Sequence, residues 1–163
     1  MNKDLLAIIH KIYNETGRCP GKKQLQKMVY LIQAKGIDLG YEYDIHFYGP
    51  YSDDLSHDLL SLCVNGFVDF RMKGQTHEIV PLEESVEMSI SSEEETLVDS
   101  LIREYKNESP SGLELITTTH FVAVNIGSSD NDIVSGVKRI KGEKYPNERI
   151  KAVIDDLRAG YIM

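Results

Sequence analysis

Five histidines (10, 46, 57, 77 and 120) and two cysteines (19 and 63) are the residues here best able to ligate a metal or attack a carbonyl. Their spacing assembles neither chemistry. No HxxxH, HExxH or Cys/His cluster has the separation that a tetrahedral metal site needs. His57 stands one helical turn from Asp53 and Asp54 and could share a cleft with them, but a solvated helix surface is the simpler reading. His120 sits among threonines in an apolar run, where a hydrogen-bonded core histidine is expected. Cys63 falls on the apolar side of its segment and packs as a small hydrophobe. Cys19 stands beside Pro20 in a loop with no assignable base. The pairs Asp53-Asp54 and Asp155-Asp156 are sequence neighbours, and neighbours on a helix point apart. GxxxxGK[ST], GxGxxG and GxSxG are all missing from the sequence. The expectation is a chain that is not an enzyme, with no catalytic residue, no metal and no cofactor.

Residues suited to binding are better represented. The stretch HFYGPYSDD, His46 to Asp54, sets three aromatic rings around a Gly-Pro pair. Five of the nine tyrosines, at 30, 41, 43, 48 and 51, fall within twenty-two residues. Tyrosine combines a large ring with a polar hydroxyl and is enriched at interface hot spots. Phe47, Tyr48, Gly49, Pro50 and Tyr51, with Asp54 and Asp58 on the following segment, are the candidate partner-binding set. The competing reading is that the rings cover a seam in the core, which is favoured for Tyr30. Lys22, Lys23 and Lys27 form the best basic patch and are the candidate nucleic-acid contacts; Lys138, Arg139 and Lys141 are a second group.

The elements that must position these residues are mainly helical. Leu5, Ile8, Ile9 and Ile12 recur at helical spacing from Lys3 to Glu15, with Gly17 as a stop. KKQLQKMVYLIQAKG follows Pro20-Gly21 with a stripe of Leu25, Met28, Val29 and Ile32, leaving Lys22, Lys23, Gln26 and Lys27 on the other face. YEYDIHFYG reads as extended, and Gly49-Pro50 breaks any regular element because proline lacks an N–H. Ser52 is a good N-cap, with Asp53 and Asp54 complementing the helix dipole. FVDFRM, a turn at Lys73-Gly74-Gln75 and HEIVPL make a hairpin. EESVEMSISSEEE is a connection, and Ser92 opens a helix to about Lys106. The Gly112–Val124 helix, rich in β-branched residues, suits a buried central place. Helices from Ile133 to Lys141 and from Pro146 or Asn147 complete the chain.

At 163 residues, 41% hydrophobic and 27% charged, the chain can bury a substantial core. Its apolar runs are too short to span a bilayer, and residues 1–15 lack the pattern of a signal peptide. A cytoplasmic protein with free thiols is expected. The net charge of −8 concentrates in residues 51–110, where four Lys/Arg face fourteen Asp/Glu. The third helix carries Asp53, Asp54 and Asp58 and no cation, the wrong charge for entering a DNA groove. The charge therefore disfavours a nucleic-acid partner, and no membrane partner is expected.

The LQKMVYL helix, the extended segment leading into YGP and the amphipathic helix behind it resemble the SocA-like proteins, or Panacea antitoxin domain, closest to their YwgA-like members. LELITTTHF and KGEKYPNERIKAVIDDLRAGYI resemble the YwgA-like C-terminal half. The matched positions are Leu25, Lys27, Tyr30, Tyr48, Gly49, Pro50 and Tyr51. The resemblance implies a mostly α (α+β) fold. Its winged-helix-like N-terminal half, residues 1–84, carries a small β-hairpin and packs on a helical, helix-turn-helix-like half, residues 92–163, as one compact unit. It also implies an antitoxin-like module of a toxin–antitoxin system that neutralises or adapts a partner protein by direct binding. The alternative is a winged-helix DNA-binding transcription regulator.

Overall fold

A computed structural model describes residues 2–82, 86–160 and 162–163. Among these, seven helices and two antiparallel hairpins form a mostly helical α+β fold. None of these helices is long and apolar enough to cross a membrane. Part of the expected acidic connection, including residue 84 at the expected domain boundary, lies outside the described residues.

The first helix, α1 (Lys3–Thr16), opens on Asn2, whose side chain accepts from Leu5 N, and closes on Gly17 in the left-handed region at φ 69°. α2 (Lys22–Ala34) is set off from it by Pro20-Gly21. β1 (Asp44–His46) and β2 (Gly49–Tyr51) pair antiparallel, with Ile45 opposite Pro50. Gly49-Pro50 thus forms half of a ladder instead of breaking it. A two-stranded ribbon tolerates proline because its outer edge needs no N–H.

α3 (Asp53–Val64) starts on Ser52, as its sequence requires. β3 (Val68–Lys73) and β4 (Thr76–Pro81) turn at Gly74-Gln75 and lie directly after α3, in the order of a winged helix. α4 (Ser92–Tyr105) begins one residue earlier than expected: Ser91, not Ser92, is the cap, in a reciprocal pairing with Glu94. The rest is helical: α5 (Pro110–Asn125), α6 (Asp130–Lys141) and α7 (Asn147–Ala159).

α5 is buried along most of its length. Its Leu113 and Ile116 join the main core built from α1 to α4 and the β3–β4 hairpin. Its Leu115, Val122 and Ala123 join a second core with Ile133, Val137, Tyr145, Ile150 and Ile154 of the α6–α7 region. Helix and sheet faces that cannot satisfy themselves are thereby packed on one central rod.

Close approach between α5 and α6 depends on Gly136, where an added Cβ would come within 2.4 Å of Val122 Cγ1. In an open helix Gly→Ala gains stability; here overpacking dominates. Gly136→Ala is expected to cost about 1–3 kcal/mol in urea unfolding, with most of the loss recovered in Gly136→Ala/Val122→Ala.

Candidate docking site at the Gly-Pro turn

The β1–β2 ribbon holds out its two-residue tip. Phe47 is 82% exposed and Tyr48 49%, and their rings meet edge to face with centroids 4.9 Å apart. Lys23 Nζ lies 3.5 Å over the Tyr48 ring, and Lys141 Nζ donates to the Phe47 carbonyl at 2.8 Å. The next residues turn inward: Gly49 and Pro50 are buried, while Tyr51 is half-buried and stacks on His46.

The segment is pinned from α2. The Gln26 amide donates to the Ser52 carbonyl and accepts from the Ser52 N–H, both at 2.9 Å. Lys27 Nζ donates to the Pro50 carbonyl at 2.7 Å. Gln26 and Lys27 are therefore not on a solvated face. Lys27 is only 5% exposed, because α2 uses that side to hold residues 50–52. Burial pushes the Lys27 ammonium down to about 8; Glu114 opposes this, while Lys141 and Lys23 add to it.

Beneath the turn lies α5. Glu114 accepts from Lys141, Lys144 and the Tyr145 hydroxyl, each at 2.9 Å. Burial raises its carboxyl pKa, but those three donors outweigh burial and leave it lowered. Gly49 sits at φ 93°, and a Cβ there would approach Thr118 Oγ1 to 2.8 Å. Thr118 is fully buried, and its hydroxyl has no partner among the described residues. Glu114, Lys144, Tyr145 and Thr118 were not singled out from the sequence. A lone carboxylate inside the apolar run LELI was the one available signal.

The remaining candidates separate. Lys22 is half-buried with Nζ 3.7 Å over the Phe70 ring, Lys23 is exposed beside Tyr48, and Lys27 is inside. The three lysines thus form no continuous patch. Asp54 is exposed, whereas Asp58 is half-buried and accepts from the Tyr41 hydroxyl at 2.7 Å. Tyr30 and Tyr41 are buried in the core, with Tyr43 packed half-buried against it. His57 is exposed. His120 is buried between the Tyr30 hydroxyl and the Ile162 carbonyl, and burial lowers its pKa.

Fold and site together define a mostly helical chain that presents an aromatic tip on a lysine-lined base. Comparison with known proteins gives two likenesses. The chain is 39% identical to the uncharacterised protein YwgA of Bacillus subtilis over 62 residues, 38% of the chain and 37% of YwgA. It is 29% identical over 164 aligned positions to a DNA ADP-ribosyl glycohydrolase of Thermus aquaticus, covering 90% of the chain and 43% of that protein. The chain thus spans less than half the length of either curated relative. No family model matches. A YwgA-like relation is supported, while SocA-like, or Panacea, membership gains no such match. The expectation that the chain is not an enzyme is overturned: a protein named as an enzyme aligns with nine-tenths of it.

Two outcomes test the turn's architecture. Gly49→Ala, meeting both an unfavourable φ and the Thr118 hydroxyl, is expected to lose about 1–3 kcal/mol in urea unfolding. Lys27→Met orphans the Pro50 carbonyl and is expected to cost about 1–3 kcal/mol at pH 8. Lys27 titrates near 8 in the folded chain and at its ordinary 10.5 when unfolded, so the unfolded state binds more protons between those values. Stability should therefore rise with pH across that window in the wild type relative to Lys27→Met. Parallel urea titrations at several pH values read the difference, and identical slopes refute it.

Proposed function

We propose that the chain acts by direct binding of a partner protein, in the manner of an antitoxin, with Phe47 and Tyr48 as the docking point. The observation that carries this reading is the exposure of two mutually packed rings on a ribbon fixed from behind by Gln26, Lys27 and Lys141. A rigid aromatic tip loses little freedom on entering a groove, so more of its contact energy appears as affinity. Beside the tip, Lys23 and Lys144 are exposed and suit a partner with carboxylates around its groove. The exposed Asp53 and Asp54 of α3 offer a second, oppositely charged contact.

The name of the glycohydrolase relative narrows the partner. Its substrate is DNA carrying ADP-ribosyl groups, and some transferase must first attach those groups. We infer that the partner is an enzyme of that attaching class, held by this chain through the tip. A groove-reading DNA regulator is less well supported, because α3 carries aspartates and no Lys or Arg.

Titration of the purified chain against a DNA ADP-ribosyltransferase encoded in the same genome tests this. Tyr48→Ala and Phe47→Ala are expected to weaken binding by roughly 30-fold each, the scale of a hot-spot residue. Both should leave the melting temperature unchanged. Unaltered affinity in both variants, or an equal loss of melting temperature and affinity, would remove the docking role from the tip.

A further inference from the structure

A cleft of about 400 Å³ lies where the end of α1 meets the β3–β4 hairpin, and it shares no residue with the 47–51 turn. Its lining includes Arg18, Arg71 and Lys73, with Glu78 the one carboxylate among the described residues. Arg71 grips Glu78 through Nη2 at 2.7 Å and Nε at 3.2 Å, and Lys73 lies 3.3 Å from the other Glu78 oxygen. Arg18 is exposed and has no ion-pair partner among the described residues. Among the described residues, three cations therefore face one anion, in a chain whose overall charge is −8.

The walls are fixed on both sides. The Ile79 N–H donates to the Pro20 carbonyl at 2.8 Å, and Gly21 bridges to Glu78, so the loop after α1 is stitched to β4. Arg18 N–H donates to the Thr16 hydroxyl at 3.1 Å, and that hydroxyl donates to the Arg18 carbonyl at 3.0 Å. Tyr13, 40% exposed, supplies an aromatic surface in the lining. The Cys19 thiol stands 3.9 Å from Arg71 Nη2.

We propose that this cleft binds a phosphorylated small molecule of nucleotide size. The phosphate would be held by Arg18, Arg71 and Lys73, and the planar base laid against Tyr13. Glu78 takes the Nε and Nη2 donors of Arg71 and fixes the guanidinium plane, which leaves the Nη1 edge for the phosphate, and Arg18 supplies the uncompensated charge. The volume lies within the range of small-ligand sites, and a concave wall whose described charges sum to positive concentrates anions. A duplex is too wide for such a cleft.

The cleft contains its own reporter. Alkylation of Cys19 by iodoacetamide is followed by mass spectrometry with ADP, adenosine or inorganic phosphate present, and Cys63 serves as the internal control. ADP is expected to slow Cys19 alkylation and leave Cys63 unchanged, with adenosine giving no protection and inorganic phosphate competing with ADP. Arg18→Ala and, independently, Lys73→Ala should each weaken ADP binding about tenfold without moving the melting temperature. Equal protection by adenosine, no protection at millimolar ADP, or tighter binding of a single-stranded oligonucleotide than of ADP each overturns the proposal. So does full ADP binding in both variants.

Discussion

The contact between the buried Lys27 ammonium and the Pro50 carbonyl decides where everything around the turn can sit. Proline gives the segment a fixed φ and a carbonyl with no N–H beside it, and that carbonyl is buried. Left unpaired, it would cost as much as a lost hydrogen bond with its desolvation. Lys27 supplies the donor, and Gln26 closes the neighbouring peptide at Ser52 with two further bonds. One helical turn of α2 thereby satisfies the inward side of residues 50–52. The ribbon can then lean on α5 and leave its tip in water.

The cost of placing an amine there is visible in its depressed pKa. Charge balance comes from Glu114, which gathers Lys141, Lys144 and Tyr145 and lies close enough to act on Lys27. Buried ionic groups of this kind contribute little net stability over an apolar replacement, but losing one partner strands the others. Their value here is geometric. They permit one arrangement of α2, the ribbon, α5 and α6, in which Gly49 passes Thr118 with no room for a side chain.

Much of the fold was legible because its signals are local. Ser52 caps the helix it precedes, Gly17 ends α1, and the β-branched residues of α5 mark the element that both cores share, although Ser109 opens that helix at Pro110, two residues before the expected Gly112. What escaped depends on contacts between distant residues. Lys27 reads as solvated from α2 alone, since nothing nearby in sequence shows that Pro50 will need a donor 23 residues away. Asp58 reads as free until Tyr41 is seen donating to it. Proline near a glycine reads as a break unless the strand has an edge to spare. Of the candidate site, the exposed tip could be guessed from residue types, but its support on Glu114 and Lys141 could not. The exclusion of catalysis rested on motif patterns alone, and a relative named as an enzyme shows how little such patterns exclude.

The bond from Lys141 to Phe47 spans 94 residues, and Glu114 also follows the turn by more than sixty. A chain emerging from the ribosome has therefore made its aromatic tip long before the helices that brace it exist. Until α6 is free of the exit tunnel, the tip has no rear support and the Pro50 segment nothing of α5 to lean on. The bracing of the tip thus arrives late in synthesis, and under the proposed docking role the contact surface would form well before it could be used.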